Sequence, residues 1–161
     1  MSGLKLFEAK KYLAQHLAEL GCLLGRPVRA DELLTLEETE AIRFQSKQIR
    51  LTPTWRQTIP FESRGSRTVV DLFQRLHDSR LLPVYVWTPL SNVCGLARPI
   101  RLVEVNLEFD FNINREGIIA FIVTDLLDKV VFDFSAKDGH LELEIEASGD
   151  HWGRLELPHA G

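Results

Sequence analysis

The feature that most constrains this chain is a run of strict alternation in its last third. In LVEVNLEFDFNI, Val103, Val105, Leu107, Phe109, Phe111 and Ile113 alternate with Glu104, Asn106, Glu108, Asp110 and Asn112. HLELEIEA repeats the pattern, with Leu141, Leu143 and Ile145 against Glu142, Glu144 and Glu146. A period of two places one row of side chains in a core and the other on the opposite face of a strand. The first run therefore predicts a strand over residues 102–113 and the second a strand over 140–147. Between and after them, Ile118–Val123, Val130–Ser135 and a segment near Trp152–Leu157 read as further strands. They are separated by turn residues at Asn114–Gly117, Asp125–Lys129, Lys137-Asp138-Gly139 and Ser148-Gly149-Asp150. Connections this short favour an antiparallel meander, because a parallel return needs a longer crossover.

The first half is organised differently. Leu6, Leu13, Leu17, Leu20 and Leu24 make a stripe that predicts a helix from Gly3, with Ser2 as cap and Gly21 or Gly25 as its stop. Lys10, Lys11, Gln15 and Glu19 take the polar directions, and Tyr12 and His16 border the packed stripe. Thr35 followed by Glu38 is a capping-box pair and starts a second helix over about 36–48. The acidic residues at its start and Arg43 and Lys47 near its end suit the helix dipole. Residues 50–66, broken by Pro53, Pro60 and Gly65, read as a long irregular connection with room for one short strand. A third helix follows over 67–79, burying Val69, Leu72, Phe73 and Leu76. Residues 81–87 form a strand with Val84 and Val86 on one face and Tyr85 and Trp87 on the other.

These elements predict an α+β fold, with N-terminal and central helices on one face of a mainly antiparallel sheet of five to six strands. At 161 residues with 45% apolar content, the chain reads as one domain over 1–161, helical over about 3–79 and sheet-forming over about 81–157. Cys22 and Cys94 fit reduced thiols, and no cysteine–histidine spacing fits a zinc site. No segment has the apolar length of a membrane span and no signal peptide is visible, so the expected address is the cytoplasm.

The net charge of −4 conceals a division. Residues 1–101 hold 15 basic and 10 acidic side chains, a balance of +5, whereas residues 102–161 hold 4 and 13, a balance of −9. An acidic sheet argues against nucleic acid as its partner and for a basic protein. The partner-binding candidates are Glu104, Glu108, Asp110, Glu142, Glu144 and Glu146, with Trp55 or Trp152 as the apolar anchor such an interface needs. The reading is a small binding module, in the manner of an inhibitor or immunity protein that occludes a basic partner such as a toxin nuclease. The alternative is a small-molecule or anion-binding domain with enzymatic capacity, using Arg64 and Arg67 beside the amides that open the third helix. No catalytic set, metal or cofactor is assigned. The histidines form no HExxH, Ser66 lacks a nucleophile elbow, and Cys94 paired with a histidine would need a proximity that spacing does not supply.

Overall fold

The computed structural model describes residues 3–110 and 117–155. Five strands form one antiparallel sheet: β1 (Thr54–Pro60), β2 (Val84–Trp87), β3 (Gly117–Val123), β4 (Asp128–Lys137) and β5 (His140–Gly149). Their spatial order is β1-β5-β4-β3-β2. The helices are α1 (Gly3–Leu24), α2 (Leu36–Lys47), α3 (Arg67–Ser79) and a single turn, α4 (Ser91–Cys94). The fold is α+β, with helices packed against a five-stranded antiparallel sheet.

Alternation does what the sequence implied in β4 and β5. Val130, Phe132 and Phe134 pair with Ala147, Ile145 and Leu143, and all six are buried. The two strands join through Asp138 and Gly139, which both have positive φ (51° and 81°), the condition for a two-residue hairpin turn matched to the strand twist. On the same side, Phe121 and Phe132 meet Phe73 of α3 at centroid separations of 5.5 and 5.4 Å. The amphipathic spacing of α3 thus becomes the cover of one sheet face, with Val69, Leu72, Phe73 and Leu76 buried against it. At the start of α2 the capping box forms as expected: the Glu38 amide donates to Thr35 Oγ1 and the Thr35 amide to Glu38 Oε1, at 3.0 and 3.1 Å.

The expected strand over 102–113 is absent from its described part. Leu102–Glu104 is a turn of 3₁₀ helix, and the chain then runs irregularly along α3. Val105, Leu107 and Phe109 are buried and Glu104, Glu108 and Asp110 exposed, so the pattern records burial from Glu104 to Asp110, but at its start Leu102 is buried and Val103 is 37% exposed. Its hydrogen bonds, however, go elsewhere. The Asn106 amide and side chain donate to the carbonyls of Leu23 and Cys22, and the Phe109 amide to Asn106. An apolar groove between α3 and the sheet, rather than a neighbouring strand, selects every second residue. Residues 111–113 lie outside the described part, as do Ser2, Asn114–Glu116 and everything after Leu155.

Three further expectations are corrected. The one short strand for which residues 50–66 left room is β1 at 54–60, a seven-residue edge strand paired antiparallel with β5, so less of that stretch is irregular than expected. The packed side of α1 keeps only the C-terminal part of the leucine stripe: Leu20 is buried with His16, Glu19 and Leu23, Leu17 and Leu24 pack against the core, and Leu6 is 47% exposed. The last strand is replaced over Trp152–Arg154 by a 3₁₀ turn. The cause of that turn is a buried carboxylate. Asp128, fully buried at the start of β4, accepts from the amides of His151 and Trp152 at 3.0 and 2.9 Å and from Arg80 Nη1 at 2.5 Å. Arg80 also pairs with Asp125. The turn drives Trp152 into the core, where its indole donates to the Leu76 carbonyl at 3.0 Å, while its own carbonyl accepts from the Trp55 indole at 3.0 Å. One acid and one tryptophan therefore tie α3, β1, β4 and β5 together.

Removing one partner of a buried, hydrogen-bonded ion pair strands the other charge. Asp128→Ala is expected to lower unfolding free energy by about 3–5 kcal/mol, and Asp125→Ala, at the solvent-facing side of the same cluster, by about 1 kcal/mol or less. Urea denaturation of both variants checks the ranking.

Candidate functional site: the acidic cleft and open sheet face

With α3 and the 102–110 segment on one side of the sheet, the other side presents the outward residues of every strand. The register defines five rows across it: Thr54, Ser148, Lys129, Ile122 and Tyr85 lie abreast at one end and Lys137 and His140 at the other, so two lysines share this face with the carboxylates, and three rows lie between. Thr58, Glu144, Asp133 and Ile118 lie abreast; so do Arg56, Glu146, Val131, Ala120 and Trp87; and so do Pro60, Glu142 and Ser135. Glu142, Glu144, Glu146, Val131 and Trp87 are half-buried, Asp133 is exposed, and Ile118 is 55% exposed. Arg56 donates to Glu146 at 2.6 Å and lies 4.0 Å from Glu144. This neutralises part of the glutamate row, and between exposed groups such a pair is worth about 1 kcal/mol or less. Asp133 faces no cation in its row, and Ile118 beside it supplies apolar surface.

At the β1–β5 end the face runs into an open cleft of about 720 Å³, whose lining includes Pro60, Phe61, Glu62, Asp110, His140 and Glu142. Three carboxylates reach it from three segments: Glu62 from the 3₁₀ turn Phe61–Ser63, Asp110 from the chain leaving α3, and Glu142 from β5. Phe61 itself packs edge-on against Phe109 at 5.9 Å, which fixes the cleft wall. Phe61 and Leu141 line the cleft beside these carboxylates and add apolar surface to it. Among the described residues no group of three or more His, Cys, Asp or Glu side chains could hold a metal ion.

The residues anticipated from the sequence are thus divided. Asp110 and Glu142 come together at the cleft, and Glu144 and Glu146 continue from it. Glu104 and Glu108 do not join them. They point away from the core on the α3 side, where Glu104 accepts from the Arg101 amide at 2.6 Å and Glu108 folds over Gly65. Trp152 is fully buried and cannot anchor a partner, and the half-buried Trp55 spends its N–H on Trp152. Tyr85 and Trp87, whose shared face was legible, lie on the open side instead. Glu62 was not anticipated, and for Asp133 the alternation with Phe132 and Phe134 predicts an outward carboxylate but no site. Glu62 follows Pro60 in a stretch without periodicity, and Asp133 gains meaning only from the rows beside it.

Arg64 and Arg67 do not converge on an anion site. Arg64 lies over the Phe61 ring at 4.3 Å and donates to the carbonyls of Phe109 and Phe61 at 2.7 and 3.2 Å, so its charge closes the core edge. Arg67 is 94% exposed and lies 3.9 Å from Asp71. Its guanidinium extends from the first turn of α3 into solvent, where Arg64 does not follow.

A second polar cluster is buried between α1 and α4. His16 Nε2 donates to the Gly95 carbonyl at 2.7 Å, leaving Nδ1 without a partner, and both Glu19 carboxyl oxygens are likewise unpaired. Burial pushes the Glu19 carboxyl up to about 7 and the His16 imidazole down. Burial, with Glu19 adding to it, also raises the Cys94 thiol, the opposite of what an activated nucleophile needs. Cys22 is exposed, and the two cysteines are free thiols.

No protein-family model matches the chain, and neither a curated protein nor a solved structure matches it. Among the described residues no helix is long and apolar enough to cross a membrane.

The Glu19 shift has a definite sign. Its folded value of about 7 lies above the ordinary 4.5, so the folded state holds the proton more tightly between those pH values. Stability from Glu19 is complete below pH 4.5 and falls as pH rises to 7, by up to about 3 kcal/mol. His16 works oppositely: its lowered value costs stability as pH falls below 6.5. Denaturant titrations of wild type and Glu19→Gln across pH 4.5–8 should therefore diverge, with the variant gaining relative stability as pH rises.

Proposed function

We propose that this protein is a binding module whose acidic cleft and open sheet face receive a basic protein partner, occluding the partner's surface in the manner of an inhibitor or immunity protein. The observation that carries the reading is the meeting of Glu62, Asp110 and Glu142 at one open cleft, continued by Glu144 and Asp133 across the sheet. Carboxylates arranged this way give an approaching cation a directed field, which speeds association and fixes orientation. Ile118, Val131 and Trp87 lie beside them and provide the apolar contact from which affinity is drawn. The alternative anion-binding reading, built on Arg64 and Arg67, has no converging site to support it.

A photo-cross-linking side chain at Ile118, compared in living cells with one at Val103 on the α3 side, tests the assignment. The expected product at Ile118 is a single basic protein. The triple variant Asp133→Lys/Glu142→Lys/Glu144→Lys should keep its melting temperature within a few degrees and weaken that association by at least about tenfold, since juxtaposed like charges cost more than 1.4 kcal/mol. Equal cross-linking from Val103, or unchanged association by the triple variant, would contradict the proposal.

A further inference from the structure

The open sheet face is divided along its strands. Its carboxylates stand on β4 and β5, whereas its apolar side chains stand beside them: Tyr85 and Trp87 on β2, Ile118 and Ala120 on β3, and Val131 on β4. Ile118 is exposed and the other four are half-buried. An apolar strip therefore runs alongside a strip of glutamates. Adjacent strands are about 4.8 Å apart, so the apolar strip is about 10 Å wide, the diameter of one α-helix with its side chains.

The main chain beneath that strip is already taken by the ladders, since β3 pairs with both β2 and β4, and β4 with both β3 and β5. Whatever packs there must satisfy its own amides and carbonyls. A helix does so within itself; an extended or irregular segment does not. A second sheet also does so, but it packs through an inner face broader than two strands. A second copy of this chain would bring the same acidic strip to the contact.

The charges have a matching period. Glu146, Glu144 and Glu142 recur at every second residue of β5, a spacing of about 6.8 Å. Residues four apart on a helix share a side and are separated by about 6.0 Å along its axis. Basic residues at i, i+4 and i+8 thus stay in register with the three glutamates to within about 1.6 Å over the whole row. β5 lies two strands, about 10 Å, from β3. A lysine or arginine leaving the flank of a helix over β3 spans that gap by laying its methylenes across β4. Lys129 and Lys137 lie beyond the two ends of the glutamate row, level with Ser148 and His140, and so confine the cationic stretch to the middle. Arg56 meets Glu146 and approaches Glu144 from β1. Among the described residues it leaves Asp133 and Glu142 without a salt bridge, so the pull is strongest there.

We propose that this face receives an amphipathic α-helix of the partner, with its apolar stripe on Trp87, Ala120, Ile118 and Val131. A basic flank about two and a half turns long then lies along Glu146, Glu144 and Glu142. The inference rests on the reading of this face as the site of a basic protein, and adds the secondary structure and charge spacing of what binds there.

Photo-cross-linking side chains placed separately at Val131 and Ser135 of the full-length chain, in the cells that produce it, give the test. These positions are four residues apart on β4, or about 13.6 Å. Their attachment points on the captured protein should differ by about nine residues if the partner element is a helix, and by about four if it is a strand. Ala120→Asp separates packing from charge, because it places a further carboxylate in the apolar strip. It should lower the cross-linking yield from Ser135 at least about fivefold, with the melting temperature reporting that the fold persists; if the variant unfolds, the offset alone decides. An offset of about four, scattered attachment points, or a yield that the folded Ala120→Asp variant leaves unchanged or raises overturns the inference and leaves the acidic face with a basic partner of another shape. Capture of a second copy of this chain, or of no basic protein, overturns both.

Discussion

A pleated sheet has two faces, and among the described residues α3 and the segment 102–109 cover one of them with apolar structure. α3 and the segment 102–109 bury the inward residues of β2 to β5, with Phe73, Phe109, Phe121 and Phe132 in mutual ring contact at their centre. That burial is the source of stability, since apolar area removed from water is the dominant favourable term in folding. It also determines the rest. Once the inner row is fixed, the period of two leaves Glu142, Glu144, Glu146 and Asp133 no direction but outward. The outward carboxylates are therefore a consequence of how the core is made.

What closes the far end of this sheet is polar. Asp128 is fully buried and receives two amides and a guanidinium, so its charge is satisfied where water cannot reach. Gly149, with φ of +122°, leaves it room: a side-chain carbon there would fall 2.1 Å from Asp128 Oδ1. The other buried carboxylate, Glu19, has no such partners and holds its proton up to about pH 7 instead. Two buried carboxyl groups thus meet opposite surroundings: one is enclosed by amide and guanidinium donors, and the other, without them, is favoured neutral by burial.

Much of this was legible in the residues. The amphipathic spacing of α3 gave its bounds and buried side, and alternation plus Asp138-Gly139 gave the β4–β5 hairpin. Other parts depended on distant structure. β1 was obscure because Gln57 interrupts its inward row and because its partner, β5, lies some 90 residues away. The alternation over 104–109 reported which residues are buried but carried no information on hydrogen bonding, so groove and strand looked alike. On α1, burial of His16 and Glu19 runs against hydropathy, so the packed side adds polar residues to the C-terminal part of the leucine stripe. The site was half visible: Glu142, Glu144 and Glu146 stand in plain alternation, but Glu62 and Asp110 join Glu142 only through the turn after β1 and the path of the chain beyond α3. Trp152 shows the limit from the other side, since a tryptophan suits a core and an interface equally until Asp128 is seen to draw it inward.

The central claim is that the uncovered sheet face is occupied when the protein works. Oxidative footprinting of Tyr85 and Trp87, performed on the purified chain and on the same chain in the cells that produce it, measures that occupancy directly. Reactivity of both rings in isolation with protection of both in cells, while Val103 on the α3 side reacts equally in the two settings, is the result this account predicts. Equal labelling of Tyr85 and Trp87 in both settings would contradict it.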